Sequence, residues 1–204
     1  MIRFKNTIAI IVLSLITGGC SLQTSVPAAS KHMLNVTLDT RAVKESSFSD
    51  KVIRIGQMES SAILNTRSIY YDVDAGRSYS YTKARWMESV PKQLTNLMML
   101  SITKTAIFKD VLPVRSLAKN DFILESSLYT FSQTIHDDGT STLLITMKVR
   151  LVEQYSRKII ASKLFELHED GVNGASDGAT TGYSLLITKL LEDVNKWLEV
   201  SSQE

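Results

Sequence analysis

Cysteine is the scarcest reactive residue in this chain, and Cys20 stands alone among 204 residues. One thiol excludes an internal disulfide and any metal site built on several cysteines, so burial and hydrogen bonding must hold the fold together. A surplus of one charge is missing as well. The 23 Lys and Arg face 21 Asp and Glu, and no basic run stands out, so the electrostatic footprint of a nucleic-acid-binding domain is absent. There is also no long hydrophobic run. The apolar stretch at residues 8–16 (IAIIVLSLI) covers nine positions, about half of the roughly 20 that a membrane-spanning helix needs. Proline occurs three times, which leaves most of the chain free to form regular structure.

What is present begins with the order of the first twenty residues. Arg3 and Lys5 make a basic start, residues 8–16 an apolar centre, and Thr17, Gly18 and Gly19 a small-residue stretch before Cys20. That order is an export signal, so residues 1–19 are expected to be removed. A cysteine directly behind the small residues resembles the bacterial lipobox, and the resemblance implies acylation of Cys20 and a membrane anchor. One acyl chain holds a protein only marginally, whereas two or more hold it stably. An ordinary exported protein with a free thiol is the alternative. Ser21 resembles the default for sorting to the outer membrane, which implies its periplasmic face. Residues 20–31, with Ser21, Gln23, Thr24, Ser25, Pro27 and Ser30, read as a polar tether. Loss of Arg3 and Lys5 leaves 21 basic residues against 21 acidic ones.

Residues 32–204 are the right length for one domain. Residues 32–38, 52–57, 68–73 and 77–82 read as short strands, the last two joined across Asp74-Ala75-Gly76. From residue 84 the period changes. Trp86, Val90, Leu94, Leu97, Met98, Ile102 and Ala106 recur at helical steps and predict a helix of about 20 residues. Pro91 either sits in its first turn, with the start near Glu88 and Ser89, or kinks it. Residues 121–134 and 141–154 flank His136-Asp137-Asp138-Gly139, a hairpin signal in which Asp-Gly supplies positive φ angles. Leu143, Ile145, Met147, Val149 and Leu151 alternate with Leu144, Thr146, Lys148, Arg150 and Val152, which gives one apolar face. A further strand at 158–167 completes a meander. Gly171, Gly174, Gly178 and Gly182 then mark a loop, followed by a helical stripe through Tyr183, Leu186, Ile187, Leu190, Leu191, Val194, Trp197 and Leu198. The expected class is α+β: an antiparallel or mixed sheet with two amphipathic helices packed on one face.

The stretch Ser78-Tyr79-Ser80-Tyr81-Thr82-Lys83-Ala84-Arg85-Trp86, followed by Pro91, Leu94 and an amphipathic helix, resembles the PqiC-like, MCE-associated family of ABC-type transport auxiliary lipoproteins. The lipobox, the aromatic strand end, the Arg-Trp pair before the helix, the meander and the C-terminal helix all correspond. The resemblance implies a non-catalytic accessory of an envelope lipid-transport system, with MCE-type and ABC transporter components as partners and a homo-oligomer, such as a ring, as one assembly. It makes Tyr79, Tyr81, Arg85 and Trp86 the candidate partner-binding residues. The same four also suit packing at a sheet-to-helix junction, where the Arg85 stem covers apolar surface. A structural or assembly lipoprotein of the outer membrane, with no lipid handling, is the other reading.

Catalytic patterns fare worse. Gly174-Ala175-Ser176-Asp177-Gly178 fits the nucleophile-elbow spacing, yet His32, His136 and His168 all precede Ser176, whereas that fold places its histidine last. Ser176 or Asp177 is instead expected to cap the final helix. His168, Glu169 and Asp170 are adjacent, so on a strand they point in different directions and make a poor metal site. No enzyme, cofactor or metal is expected.

Overall fold

The computed structural model describes residues 28–38, 41–43, 45–74 and 77–203, so the expected signal and Cys20 lie outside the described residues. The elements run β1 (Ser30–His32), β2 (Val52–Ile55), β3 (Glu59–Ser60), β4 (Ser68–Asp74), β5 (Arg77–Trp86), α1 (Val90–Thr105), β6 (Asp110–Leu112), β7 (Phe122–Ile135), β8 (Thr140–Glu153), β9 (Ile159–Asn173) and α2 (Ser176–Ser201). A mixed sheet with two helices is an α+β fold. Ser30 and Lys31, expected to be tether, already belong to the first strand.

The antiparallel β7–β8–β9 meander is the backbone of the sheet. Strict alternation produces it. Leu143, Ile145, Met147, Val149 and Leu151 on β8 are all fully buried, while their sequence neighbours face outward. Gly139 closes the first hairpin at φ 82°, a conformation an L side chain resists. On its other side β7 is shared end to end by three parallel segments. Phe122–Leu124 pair with β2, Ser127 and Leu128 with β3, and Thr134 with Asp72 of β4. The sheet therefore forks at β7: β6 lies beyond β2, and β5 and then β1 lie beyond β4.

Helix α1 starts behind Ser89 with Pro91 in its first turn, where a missing N–H costs little, and it ends at Ala106 in the left-handed region (φ 54°). It spans 16 residues rather than about 20, because Trp86 is the last residue of β5 and not part of the helix. The four-residue step from Trp86 to Val90 mimicked a helical repeat. Helix α2 is longer than expected, with 26 residues. The loop expected through Gly182 is corrected: Gly171 lies in β9, and Gly178 and Gly182 lie inside α2. A Cβ on Gly182 would come within 2.6 Å of Leu143 Cδ1, so this glycine lets the helix lie close on β8. The expected cap is corrected too. Ala175 holds the N-cap position without a side-chain hydrogen bond, Ser176 is the first helical residue, and Asp177 places its charge in the first turn.

The strand expected at 32–38 ends at His32. Beyond it Leu34 is buried and Val36 and Leu38 are half-buried against the core, while Leu34 N–H donates to Gln93 Oε1 of α1 (2.9 Å) and Asn35 N–H to Ser184 Oγ of α2 (3.1 Å). The alternation is real, but it lines a strap across the helices instead of a strand. Further along, Phe48 sits against Phe108 (5.4 Å) and Phe122 (4.7 Å). Asn195 Nδ2 donates to Ser101 Oγ across the two helices at 2.7 Å.

Candidate partner-binding surface

All four candidate residues lie on β5, and the strand divides them. Alternation alone would turn Tyr81 and Trp86, five positions apart, to opposite faces. The pairing with β4 slips between Ser68 opposite Arg85 and Tyr70 opposite Ser80, which inserts extra residues into β5. Such a bulge reverses the facing of the residues beyond it. Tyr81 therefore reaches the core from one side of the bulge, and Ala84 and Trp86 from the other. Tyr79 and Arg85 stay exposed.

The inward pair is held tightly. Trp86 is 2% exposed, its backbone N–H donates to the Arg67 carbonyl (2.7 Å), and its ring meets those of Phe131 (6.2 Å) and Tyr183 (6.4 Å) at steep angles. Phe131 and Tyr183 stack at 3.9 Å. Tyr81 shares its hydroxyl proton between the Gly174 carbonyl (2.6 Å) and Gln133 Oε1 (3.0 Å). Gln133 Nε2 donates to Ser141 Oγ, which donates to the Val172 carbonyl. This chain of polar groups links β5, β7, β8 and β9, and Gln133 and Ser141 are wholly buried. Burial pushes the Tyr81 hydroxyl pKa up, partly offset by Gln133. The Tyr183 hydroxyl is also buried and has no hydrogen-bond partner among the described residues. Burial drives its pKa well above the usual value.

The exposed pair has different neighbours. Tyr79 is 43% exposed and stacks on Tyr71 (5.8 Å), which in turn meets Tyr81 (4.7 Å). Arg85 stands opposite Ser68 of β4 and, through the parallel pairing of β1, beside Lys31. Lys83, two positions earlier, is exposed as well. Sequence reasoning missed Lys31 and Lys83. No local signal pairs β1 with a strand so far along the chain.

A cleft of about 400 Å³ at the start of α1 holds Lys92 and Arg115 over Met58, Pro91 and Val114, with no carboxylate, histidine or cysteine in its lining. Its outer wall is fixed by Arg54, which donates to Asn120 Oδ1 (2.9 Å) and to the carbonyls of Ser116 and Ala118. Ser176 makes no hydrogen bond to a histidine among the described residues; His32 instead contacts Ser30 Oγ (2.9 Å) and lies 3.8 Å from Asp177. Asp170 Oδ1 accepts from Thr142 Oγ1 at 2.7 Å. Among the described residues no group of three or more His, Cys, Asp or Glu could hold a metal ion, and no helix is long and apolar enough to cross a membrane.

No family model matches the chain, and no curated protein is similar to it in sequence. Solved structures do match in shape. Protein XCC0632 from Xanthomonas campestris, a DUF330 protein, superposes with a TM-score of 0.75 over 86% of this chain and 97% of its own, at 12% identity. A second crystal structure, of an uncharacterised protein, gives 0.64 over 84% and 99%, also at 12% identity. Lipoprotein GNA1162 from Neisseria meningitidis covers 70% of the chain at a TM-score of 0.37, too distant to establish a common fold. The class these matches define is an α+β domain with the fold of a DUF330 protein.

Proposed function

We propose that this protein is a lipid-anchored accessory component of an ABC/MCE-type envelope lipid-transport system. It is held on the periplasmic face of the outer membrane through Cys20 and acts by docking to partner proteins rather than by catalysis. The observation that carries this reading is the fold, shared with the DUF330 protein over 86% of the chain, in which the Arg85-Trp86 pair ends β5 just ahead of α1, the order that the family resemblance implies. In this chain that fold lies behind a lipobox-like Cys20. The docking role falls to the exposed residues of β5, Tyr79 and Arg85, which present an aromatic ring and a guanidinium from opposite faces of the strand, two groups enriched at protein interfaces. Tyr81 and Trp86 hold the strand in place. The reading takes both helices to lie on one face of the sheet, supported by the single apolar core they share with β7, β8 and β9. It also allows several copies to assemble side by side.

The test uses the full acylated chain as bait in solubilised envelope membranes. An MCE-type or ABC component is expected to co-purify with it, and the yield is expected to fall sharply in the Tyr79→Ala/Arg85→Ala double variant. Recovery of outer-membrane assembly proteins alone would overturn the reading and favour a structural or assembly lipoprotein.

A further inference from the structure

We infer that the outward side of the β1–β5 edge is a docking surface for the anionic lipid headgroups of the membrane that carries the anchor. This rests on the anchoring part of the proposed function and adds a second, electrostatic contact to it.

Three cations converge there. Lys83 and Arg85 alternate with the inward Ala84 (4% exposed) and Trp86, and the register of β1 sets Lys31 beside Arg85. None of the three makes an ion pair among the described residues, whereas Lys51, Lys92 and Arg150 lie close to Asp50, Glu88 and Glu125. Two carboxylates on neighbouring elements are engaged elsewhere. Asp72, toward the far end of β4, accepts from Ser78, and Asp177 lies toward His32. Three like charges on one small area repel one another, and an anionic surface relieves that repulsion.

The position of the edge in the chain identifies the surface. Ser30, the first residue of β1, is ten positions after Cys20, and ten residues span at most about 35 Å when fully extended. The sheet is thus entered from the anchor through β1, which brings these cations to the membrane before any other described strand. Among the described residues strand β1 is also an edge, paired only with β5. Exposed edges are commonly guarded by lysine, and here the guard also complements a headgroup layer. Near an anionic surface each Lys or Arg strengthens binding on the order of fivefold, and salt screens the effect.

The experiment compares the full acylated chain on vesicles of pure phosphatidylcholine with vesicles containing 30% phosphatidylglycerol (about one anionic lipid in three, a common surface charge). Flotation reports attachment, and hydrogen exchange reports peptides covering β1 and the second half of β5. The expected result is flotation with both vesicles, with exchange slowed severalfold only where phosphatidylglycerol is present. High salt and the Lys31→Gln/Lys83→Gln/Arg85→Gln triple variant should each abolish the slowing. Flotation with both vesicles and identical exchange would overturn the headgroup contact while leaving the anchor intact. Flotation with phosphatidylglycerol vesicles alone would support the contact and count against the anchor. Flotation with neither would refute both.

Discussion

Arg85 and Trp86 are neighbours in the chain and opposites in the fold. Trp86 is enclosed by Phe131 and Tyr183, and Arg85 faces outward beside Lys31. Tyr81 and Tyr79 differ in depth instead: they share a face and both meet Tyr71, but Tyr81 is tied into a buried polar chain and Tyr79 lies at the exposed margin. One strand therefore holds two kinds of candidate. The inward pair serves function only by keeping β5 in place, and the exposed pair is free to meet something else. Substitutions that separate stability from docking break or sharpen this distinction.

The largest effect belongs to Trp86→Ala. Removing a fully buried indole leaves a cavity between β5, β7 and α2, and losses of this kind run at about 3–5 kcal/mol. Each kcal/mol lowers Tm by about 2–4 °C in a domain of this size, so a fall of roughly 6–20 °C is expected by calorimetry. A shift of only one or two degrees would mean that Trp86 is not structural, and the inward–outward division would fail. Tyr81→Phe comes next. The ring stays, but Gln133 Oε1 and the Gly174 carbonyl lose their shared donor, and an unsatisfied buried acceptor costs about 1–3 kcal/mol. Denaturant unfolding with an unchanged m-value would read this directly.

Reading these residues from sequence alone succeeded where one period ran without interruption. The alternation in β8 and the Asp-Gly turn before it located the hairpin, and the helical stripe from Tyr183 to Leu198 located most of α2. It failed where a tertiary contact replaced a local rule. Gly178 and Gly182 look like helix breakers but sit inside α2, and at Gly178 a Cβ would come within 2.3 Å of the Asn173 carbonyl oxygen, which leaves room only for glycine. The alternating strap around Leu34 has the period of a strand but finds helices, not a strand, as its partner. At the candidate surface the Tyr-Arg-Trp cluster was legible as a group, but its division was not. The inward facing of both Tyr81 and Trp86, with Arg85 outward, comes from a slip in the β4–β5 register, which no spacing in the chain announces.

A third substitution contrasts the two buried tyrosines. Tyr183→Phe removes a hydroxyl that has no hydrogen-bond partner among the described residues and keeps the ring stacked on Phe131, so stability at neutral pH is expected to stay level or rise by up to about 1 kcal/mol. Its effect should show at alkaline pH. The folded-state pKa of Tyr183 lies well above the ordinary 10.0. The unfolded chain therefore ionises first, and folding loses stability as pH rises above about 10. In Tyr183→Phe this alkaline loss should begin at higher pH, whereas the wild-type onset should persist in Tyr79→Phe. An unchanged onset in Tyr183→Phe would show that this hydroxyl is not held neutral by burial.

The smallest effect on stability, and the most informative about function, is expected for Tyr79→Ala and Arg85→Ala. Both side chains are exposed, and surface substitutions away from special features usually stay within about 0.5 kcal/mol. Tyr79 does give up its stacking on Tyr71, so its change should be the larger of the two. If Tyr79 and Arg85 lie outside the packed part of β5, the two variants should melt within a few degrees of wild type yet differ in what they lose. Tyr79→Ala should lower partner recovery and leave exchange on anionic vesicles unchanged. Arg85→Ala should lower partner recovery and also weaken the slowing of exchange on anionic vesicles, since its guanidinium belongs to the docking surface and to the cation group with Lys31 and Lys83. A Tm loss in Arg85→Ala comparable to that of Trp86→Ala would assign Arg85 to packing and remove it from both surfaces.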